Sequence, residues 1–485
     1  MRSGLLFRAL TAATALWLTG LGANTATAAN PPNVIFILAD DLGYTDLACY
    51  GSGYYETPHI DRLAREGMRF TDGYTCGPNC QPTRAALMSG QYGPRTGVYT
   101  VGGIDRFNWQ SRPLKPVDNV QQLPKEKVTL AQTLKSAGYH TAHFGKWHLG
   151  QTDEYHPLAR GFDESIVSAG QHFDFGTSPK TEYPEGTYLA DFLTDKAVDF
   201  IQRHKAGPFL LCLHHFGVHS PHQAKPDKIA HFEPKAAVGG HDSPVYAGMI
   251  ASVDDSVGRI LDTLAELKLS ENTLVVFTAD NGGVGGYERA GIKKGGDITD
   301  NAPLRGGKGM LYEGGVRVAY IFRWPNTIAA GTTCAEPINS VDLYPTLLEL
   351  SGASPPKDHV LDGTSYLSLL KNSGRTTSPR KPLFWHFPGY LGAGEGDWRT
   401  TPAGAIRAGD WKLQEFFEDG RLELYNLKED IGETTNLAEK MPEKRDELHR
   451  QLKAWRTTVQ APMPTPNEDR SSSPPAKKKK AKKSA

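Results

Sequence analysis

The sequence has little cysteine and no overall excess of either charge. Five of its 485 residues are cysteine, too few for a disulfide scaffold, and a chain of this length does not need one. Basic and acidic residues are equally numerous, at 54 each. A hydrophobic fraction of 39% and a charged fraction of 22% indicate a soluble globular protein. The length predicts one large domain and a smaller one.

The first 28 residues have the layout of a secretory signal peptide. Arg2 and Arg8 flank the start of an apolar stretch that runs through Leu21, and residues 26–28 offer a small-residue cleavage site. A membrane anchor is the weaker alternative, because the stretch is shorter than ~20 residues and is interrupted by Thr and Gly. We therefore expect export, to a periplasm or out of the cell, and no stable membrane insertion.

The carboxyl terminus ends in a lysine-rich segment. Residues 471–485 contain six lysines and nothing that could join a core, so we predict a disordered tail over residues 462–485. Without these lysines and the two arginines of residues 1–28, 46 basic residues remain against 54 acidic ones. The folded body then has a formal net charge of −8. Nucleic acid is therefore not expected as a partner.

Short apolar runs alternate with helical patterns along the chain. Such runs suit strands that are buried on both faces, so we predict an α/β fold with a mostly parallel central sheet flanked by helices. After residue 375, short alternating segments predict a small antiparallel sheet and a helix, which gives domains at 29–375 and 376–461. The predicted strands lie at 33–41, 139–147, 208–216 and 273–281, and the predicted helices at 128–137, 189–203 and 246–267.

Polar residues follow these strands at their carboxyl ends, where α/β sheets bind ligands. Asp40 and Asp41 end the first strand, and Asp280 and Asn281 end the fourth. An all-oxygen set of this kind suits Ca²⁺ and not zinc. A single aspartate at a strand end is more often a turn or cap residue, and that alternative stays open. The other two strands bring three more polar residues to the same edge: Lys146, His148 and His219.

Cys80 has several possible roles in the segment "CGPNCQPTRAALMSG" at residues 76–90. A disulfide with Cys76 would close a very small loop and contribute little stability. A zinc site needs further Cys or His ligands nearby, and none follows. The spacing between Cys80 and Arg84 does not suit a thiolate phosphatase loop. An ordinary buried cysteine remains open on these residues alone.

Several motifs occur in the order typical of one family. "CQPTRAALMSG" at 80–90 resembles the signature of the type I sulfatases, and "GYHTAHFGKWHLG" at 138–150 resembles their second signature. "VHSPH" at 218–222 is similar to the family's His-x-Pro segment, and "LRGGKGMLYEGGVRV" at 304–318 to its lysine loop. The chain is identified over roughly residues 33–440 as an arylsulfatase-like, formylglycine-dependent sulfatase of the alkaline-phosphatase-like superfamily.

This resemblance implies that Cys80 is oxidised to formylglycine, an aldehyde that becomes a geminal diol. One hydroxyl of a diol can attack sulfate and the other can later expel it, whereas a thiol would leave an adduct with no easy exit. The resemblance also makes residues 29–375 the catalytic domain. It implies one Ca²⁺ per chain, with ligands that match Asp40, Asp41, Asp280, Asn281 and the modified Cys80.

The remaining family positions carry over residue by residue. Arg84 matches the residue that holds the formylglycine oxygen, and Lys146 and Lys308 match the sulfate-binding cations. His148 would be the base that drives elimination of sulfate, and His219 would protonate or hydrogen-bond the leaving alcohol, together with Lys308. The His-x-Pro pattern favours position 219 for this role. Three neighbouring histidines are the alternatives, His214, His215 and His222, and His222 is the second choice.

The implied function is an exported, calcium-dependent sulfatase that cleaves a sulfate ester on a glycan or a smaller molecule. A maturation enzyme that generates formylglycine is the implied protein partner. The alternative reaction is that of a formylglycine-dependent phosphodiesterase or phosphonate monoester hydrolase of the same superfamily. The alternative without catalysis is a sulfoglycan-binding protein in which Cys80 stays a thiol, and the complete set of catalytic positions disfavours it.

Overall fold

The computed structural model describes residues 1, 31–293, 295–375, 382–394, 397–468 and 470. The predicted signal peptide, apart from residue 1, and all the lysines of the predicted tail lie outside these residues. The strands are β1 (Asn33–Ala39), β2 (Met68–Phe70), β3 (Gly73–Tyr74), β4 (Leu114–Lys115), β5 (His140–Gly145), β6 (Glu164–Val167), β7 (Phe209–His214), β8 (Thr273–Ala279), β9 (Tyr320–Arg323), β10 (Thr332–Cys334), β11 (Ile338–Asn339), β12 (Leu383–Phe387), β13 (Leu391–Gly394), β14 (Asp397–Thr400), β15 (Ala403–Ala408), β16 (Trp411–Phe416), β17 (Leu422–Asn426) and β18 (Thr465–Pro466).

The α-helices alternate with the strands through the first two thirds of the chain. Each of the three helices predicted from the sequence is present. The helices are α1 (Pro58–Arg65), α2 (Cys80–Ser89), α3 (Gly93–Thr96), α4 (Leu130–Ser136), α5 (Leu189–Arg203), α6 (Pro226–Phe232), α7 (Pro244–Glu266), α8 (Glu313–Val316), α9 (Leu343–Ser351), α10 (Leu367–Lys371) and α11 (Pro442–Thr458).

The large sheet has the strand order β10-β2-β9-β8-β1-β7-β5-β6. β1 pairs in parallel with both β7 and β8, and β5 pairs in parallel with β7 and β6. β9 runs antiparallel to β8 and to β2. The prediction of an α/β fold with a mostly parallel central sheet is confirmed. The antiparallel strand β9 was not foreseen, because strand direction depends on the connection and not on composition.

The central strands are buried throughout. Every residue of β1 and of β8 is buried, which explains why "NVIFILA" and "TLVVFTA" are continuous apolar runs without alternation. The two strands pair in register from Asn33 with Thr273 to Ala39 with Ala279. Their ends therefore coincide, so residues that follow β1 and β8 lie side by side.

A second, antiparallel sheet follows in the order β12-β15-β16-β17. α11 packs against it through Leu448 and Leu452, which are buried with Ile406 and Leu413. This confirms the predicted antiparallel subdomain after the large sheet. The domain boundary predicted between residues 375 and 376 borders a segment, 376–381, that lies outside the described residues.

Residues 462–468 differ from the prediction of a disordered tail that begins at 462. β18 pairs antiparallel with β4, and Asn467 Nδ2 donates hydrogen bonds of 2.9 Å to the carbonyls of Gln110 and Arg112. The partner segment lies about 350 positions away in the chain. No local pattern could reveal such a pairing. Within the described part of the chain, none of the helices is long and apolar enough to cross a membrane.

Candidate active site

The predicted site residues meet at the carboxyl-end edge of the large sheet. Asp40 follows β1, Asp280 follows β8 and Lys146 follows β5, so three parallel strands of one sheet deliver side chains to one place. Ligand atoms of Asp40, Cys80 and Asp280 all lie within 4.8 Å of one another, and so do those of Asp40, Asp41 and His219. These residues therefore lie together at the edge of the sheet where the sequence predicted them.

Asp41 has a left-handed backbone conformation, with φ of 64°. Successive side chains of a regular strand point to opposite faces, so two adjacent aspartates could not otherwise serve one site. The turn at Asp41 brings its carboxylate back beside Asp40. A non-glycine residue in this region costs ~1–3 kcal/mol, which the surroundings must offset. Tyr246 helps to hold the turn, since its hydroxyl lies 3.2 Å from the Asp41 carbonyl oxygen.

Two buried oxygen atoms at this edge lack a hydrogen-bond donor. Asn281 Nδ2 donates to Asp41 Oδ1 at 2.9 Å and to the carbonyl of Gly282 at 3.0 Å, which orients its Oδ1 the other way. Asp40 Oδ1 and Asn281 Oδ1 are buried, and no described residue donates a hydrogen bond to them. A buried acceptor without a donor costs ~1–3 kcal/mol. A hard cation would satisfy both atoms, so the oxygen set fits Ca²⁺.

The two aspartates at the strand ends titrate differently. Burial and the neighbouring carboxylate of Asp40 raise the pKa of Asp280 to about 6, against the pull of Arg84. Burial also opposes ionisation of Asp40, but the surrounding cations, Lys146 foremost, hold its pKa well below the usual range. The charge of Asp40 thus repels that of an ionised Asp280. A bound divalent cation would relieve that repulsion.

Cys80 is the first residue of α2, and it is only 3% exposed. The first N–H groups of a helix have no intrahelical partner, so this end of α2 presents positive partial charge to the site. Burial raises the pKa of the Cys80 thiol, although Lys146 and Lys308 oppose this shift. An unmodified Cys80 would therefore be a protonated thiol and a weak nucleophile.

Arg84 lies one turn further along α2 and is 1% exposed. Its Nη2 is 2.7 Å from Asp280 Oδ2, and its Nη1 donates to the carbonyl of Lys146 at 2.5 Å. The guanidinium therefore ties the start of α2 to the ends of two strands. This contact fixes Cys80 relative to the candidate cation ligands.

Two lysines lie against the two aspartates. Lys146 Nζ forms an ion pair with Asp40 Oδ2, and Lys308 Nζ is 2.6 Å from Asp41 Oδ1. Burial disfavours the charge on both lysines, but the carboxylates outweigh it and raise the pKa of each ammonium group. Both side chains are therefore positively charged at neutral pH, and both lie close enough to Cys80 to influence its thiol.

His148 and His219 complete the set of predicted residues. His148 has a left-handed backbone, with φ of 63°, and its Nδ1 is buried without a partner among the described residues. Burial, reinforced by the charge of Lys146, holds the pKa of His148 well below its usual range, so the ring is neutral. His219 Nδ1 donates to the carbonyl of Ser220 at 2.7 Å, which leaves Nε2 facing Asp41 Oδ2 at 3.6 Å.

The neighbouring histidines have other contact partners. His214 Nδ1 is 3.2 Å from His143 Nε2 inside the sheet, and His215 Nε2 is 2.9 Å from the hydroxyl of Ser256. The ring of His222 packs edge-on against Tyr246, with centroids 6.2 Å apart. The first choice, His219, faces Asp41 at 3.6 Å, and the second choice, His222, is near enough to Asp41 for this carboxylate to oppose the fall in pKa that burial causes.

Sequence reasoning missed the residues that support these loops. The carboxylate of Asp46 is fully buried and accepts hydrogen bonds from Tyr246 Oη at 2.7 Å and Thr299 Oγ1 at 2.6 Å. Asn301 is also fully buried and contacts the glycine-rich loops around Lys308. The only signal was the density of glycine in "NGGVGG" and "LRGGKG", which indicates close backbone packing but does not name the partner.

Comparison with protein families agrees with this geometry. The model of the family Sulfatase matches residues 32–353, which is more than half of the chain. This chain belongs to the sulfatase family. A second model, N-sulphoglucosamine sulphohydrolase, C-terminal, matches residues 307–459 of the sulfatase. The family membership predicted from the motifs is confirmed, and with it the reaction class of sulfuric ester hydrolysis.

Individual relatives cover most of the sulfatase. It is 36% identical over 512 residues to a sulfatase of Formosa agariphila, across 89% of this chain and 90% of that protein. It is 35% identical over 395 residues to N-acetylgalactosamine-6-sulfatase of Sus scrofa, across 76% of this chain and 71% of that protein. The crystal structure of Ps i-CgsB in complex with k-i-k-neocarrahexaose matches with a TM-score of 0.74 and 29% identity, covering 91% of this chain and 94% of that chain.

Proposed function

We propose that this sulfatase removes a sulfate ester group from a sulfated carbohydrate outside the cytoplasm, with one bound Ca²⁺ and a formylglycine made from Cys80. The proposal depends on one observation: Cys80 lies at the same edge of the sheet as two buried oxygen atoms that accept no hydrogen bond from a described residue. These are Asp40 Oδ1 and Asn281 Oδ1. The combination suits a cation beside a modified side chain and has no use in an ordinary core.

Four side chains would hold the cation: Asp40, Asp41, Asp280 and Asn281. All four are buried and offer oxygen atoms, which Ca²⁺ prefers. When bound, Ca²⁺ supplies Lewis acidity that lowers the pKa of a neighbouring hydroxyl and takes up charge from a sulfuryl oxygen. Burial, and after it the carboxylate of Asp40, raises the pKa of Asp280, and a cation bound beside it would favour its ionised form.

A formylglycine at position 80 supplies, when hydrated, one hydroxyl that attacks sulfur and another that later releases sulfate. The residues of this chain hold that position in place. Arg84 links α2 to Asp280 and to the backbone of Lys146, and the positive end of α2 faces the reacting group. The nucleophile would therefore be oriented before substrate binds.

Two lysines and two histidines would serve the sulfate ester itself. Lys146 pairs with Asp40 and Lys308 with Asp41, and both would neutralise the sulfuryl oxygens. His148, neutral at physiological pH and close to the charge of Lys146, would accept a proton. His219 is 26% exposed at its side chain and would face the leaving alcohol as a proton donor.

Sulfated glycans are the substrate class that we favour. The relatives that match most of the chain include an N-acetylgalactosamine-6-sulfatase, and the structural match Ps i-CgsB was crystallised with k-i-k-neocarrahexaose. The layout of residues 1–28 supports action outside the cytoplasm, where such polymers occur.

Mass spectrometry of the tryptic peptide that contains Cys80 tests the modification. The protein should be produced together with a formylglycine-generating enzyme, and turnover of aryl sulfate should be measured on the same sample. We expect the active fraction to carry formylglycine at position 80. A fully active sample with an intact thiol at Cys80 contradicts the proposal.

Matched aryl esters test the reaction. We expect turnover of aryl sulfate to exceed that of aryl phosphate, and removal of calcium by a chelator to abolish turnover until calcium is restored. A preference for phosphate would favour the phosphodiesterase alternative, and full activity after chelation would contradict the calcium site.

A further inference from the structure

Two glycine-rich loops and a third loop at Gly43 meet at one buried side chain, Asn301. The residue is 0% exposed. Its Nδ2 lies 3.1 Å from the carbonyl oxygen of Gly283, 3.0 Å from that of Gly285 and 3.1 Å from that of Gly306. A primary amide has two N–H groups, so two protons are shared among three backbone acceptors.

Each of these loops carries part of the candidate active site. Residues 283–285 follow the ligand pair Asp280 and Asn281, and Gly306 precedes Lys308 by two positions. The third loop follows Asp40 and Asp41: a Cβ placed on Gly43 would lie 2.7 Å from Asn301 Oδ1. One amide group therefore contacts the chain just beyond both pairs of candidate cation ligands and just before the catalytic lysine.

The backbone of Lys308 is held by the same arrangement. Lys308 N donates to the carbonyl oxygen of Gly283 at 2.9 Å, and this oxygen also accepts from Asn301. On the other side, Tyr287 Oη donates to the carbonyl of Lys308 at 2.9 Å. A shift of the Asn301 amide would therefore affect the backbone of Lys308, because both groups donate to the carbonyl oxygen of Gly283.

Loops with this much glycine need hydrogen bonds from elsewhere in the chain to hold them in one conformation. Glycine loses more conformational entropy on folding than any other residue, so these loops gain little order from their own sequence. Larger residues do not fit here either, because a Cβ on Gly283 would lie 2.8 Å from Asn301 Oδ1. Close backbone packing and the buried amide therefore depend on each other.

We propose that Asn301 is a positioning residue, which fixes the Lys308 loop against the loop that carries Asp280 and Asn281. In this way it sets where the lysine ammonium lies relative to the cation ligands. The link to turnover rests on the function proposed above for Lys308. Asn301 is buried behind the loops and does not touch substrate. Changes to residues that orient ligands without contacting substrate typically cost about 10- to 100-fold in activity or metal affinity.

Asn301→Ala tests the proposal, with Asn33→Ala as the matched control. Asn33 is 3% exposed and its Nδ2 donates to Thr273 Oγ1 at 3.2 Å, but it lies at the start of β1, on the opposite edge of the sheet. Hydrogen exchange of the holoenzyme, read over residues 304–310, reports the order of the loop directly. Thermal unfolding of both variants corrects for general loss of stability.

We expect Asn301→Ala to speed exchange at residues 304–310 and to lower kcat/KM about 10- to 100-fold, while Asn33→Ala does neither. In a double variant with Lys308→Ala, Asn301→Ala should lower kcat/KM little further, because both changes remove the same interaction. If Lys308→Ala alone leaves turnover intact, the proposed role of Lys308 fails, and the exchange experiment still decides the positioning role.

Unchanged exchange at residues 304–310 in Asn301→Ala would overturn the proposal, as would losses in the double variant that simply multiply. Asn301→Ser keeps one donor in a smaller side chain and serves if the alanine variant does not fold. It should give an intermediate exchange rate. Exchange as slow as in the unchanged protein would again contradict a positioning role.

Discussion

Cys80 and Cys76 are four positions apart, and both are buried, yet their sulfur atoms have different neighbours. Cys76 Sγ donates to the carbonyl of Pro82 at 3.4 Å and lies in a small apolar cluster. Cys80 lies beside Asp40, Asp280 and the cations of the site. The pair therefore separates the effect of losing a buried thiol from the effect of losing the reacting group.

Cys80→Ala should abolish turnover of aryl sulfate, with a loss of roughly 10⁴-fold or more, because the nucleophile disappears. The melting temperature should change little, since the Cys80 side chain forms no hydrogen bond with the residues that the structure describes. Cys76→Ala is the control and should keep turnover. Measurable turnover by Cys80→Ala above that of a mock preparation would show that another group attacks sulfate.

Asp280 lies at the point where calcium would couple the ends of β1 and β8 to α2. Calcium that binds only the folded state stabilises it by about 2.7 kcal/mol at 100 times its Kd. Asp280→Ala should remove most of the calcium-dependent rise in melting temperature. Asp342→Ala is the comparison, because Asp342 is a buried aspartate that accepts from the amides of Asn339 and Thr364 and lies outside the site. That variant should melt earlier but keep its response to calcium.

At the scale of elements, the short helix α8 is joined to the antiparallel sheet by buried charges as well as by apolar contacts of Val316. Lys412 of β16 is 0% exposed, and its Nζ lies 2.9 Å from Glu313 Oε1 and 2.9 Å from Glu433 Oε1. Burial raises the pKa of Glu433 to about 7, with Lys412 opposing the shift. The pKa of Glu313 falls to about 2, because Lys412 and Arg317 outweigh burial.

These two shifts act on stability in opposite pH ranges. Between about pH 4.5 and 7, the folded state keeps a proton on Glu433 that the unfolded state has lost, so the contribution of Glu433 to stability falls as pH rises. Between about pH 2 and 4.5, the unfolded state holds the extra proton at Glu313, so the contribution of Glu313 rises with pH.

Glu433→Gln isolates the first effect. The free energy of unfolding, measured by urea titration from pH 5 to pH 8, should decline less steeply in this variant than in the unchanged protein. The exposed Glu439 provides the control, since Glu439→Gln removes a charge without a buried partner. Equal slopes for Glu433→Gln and the unchanged protein would mean that Glu433 is already ionised at pH 5.

At the scale of the whole molecule, residues beyond the end of α11 still pack against the rest of the protein. β18 and Asn467 bind the segment 110–115, which lies in the first third of the chain. Truncation after residue 470 should therefore leave the melting temperature unchanged, because the lysines it removes have no apolar residues to bury. Truncation after residue 461 should lower it, since β4 loses its partner strand and the carbonyls of Gln110 and Arg112 lose the donor Asn467. The two melting curves, recorded side by side, test this, and equal curves would contradict it.

Sequence patterns predicted the large elements and the composition of the site because both depend on local properties. A strand buried on both faces must be apolar throughout, so β1 and β8 were recognisable. The carboxyl ends of parallel strands share an edge, so Asp40 and Asp280 could be expected to meet. The family's motifs supplied Arg84 and Lys308, which no periodicity would have singled out.

The sequence by itself determined the fold class, the family and the residues able to do the chemistry, because hydrophobic periodicity and short motifs are properties of the chain alone. Only the tertiary structure decided how they meet. The contact of Tyr246 with the turn at Asp41, the contacts of Asn301 with the glycine-rich loops and the pairing of β18 with β4 join residues that are separated in the chain. Their contacts exist only after the chain has folded, since close packing, and not local preference, selects them.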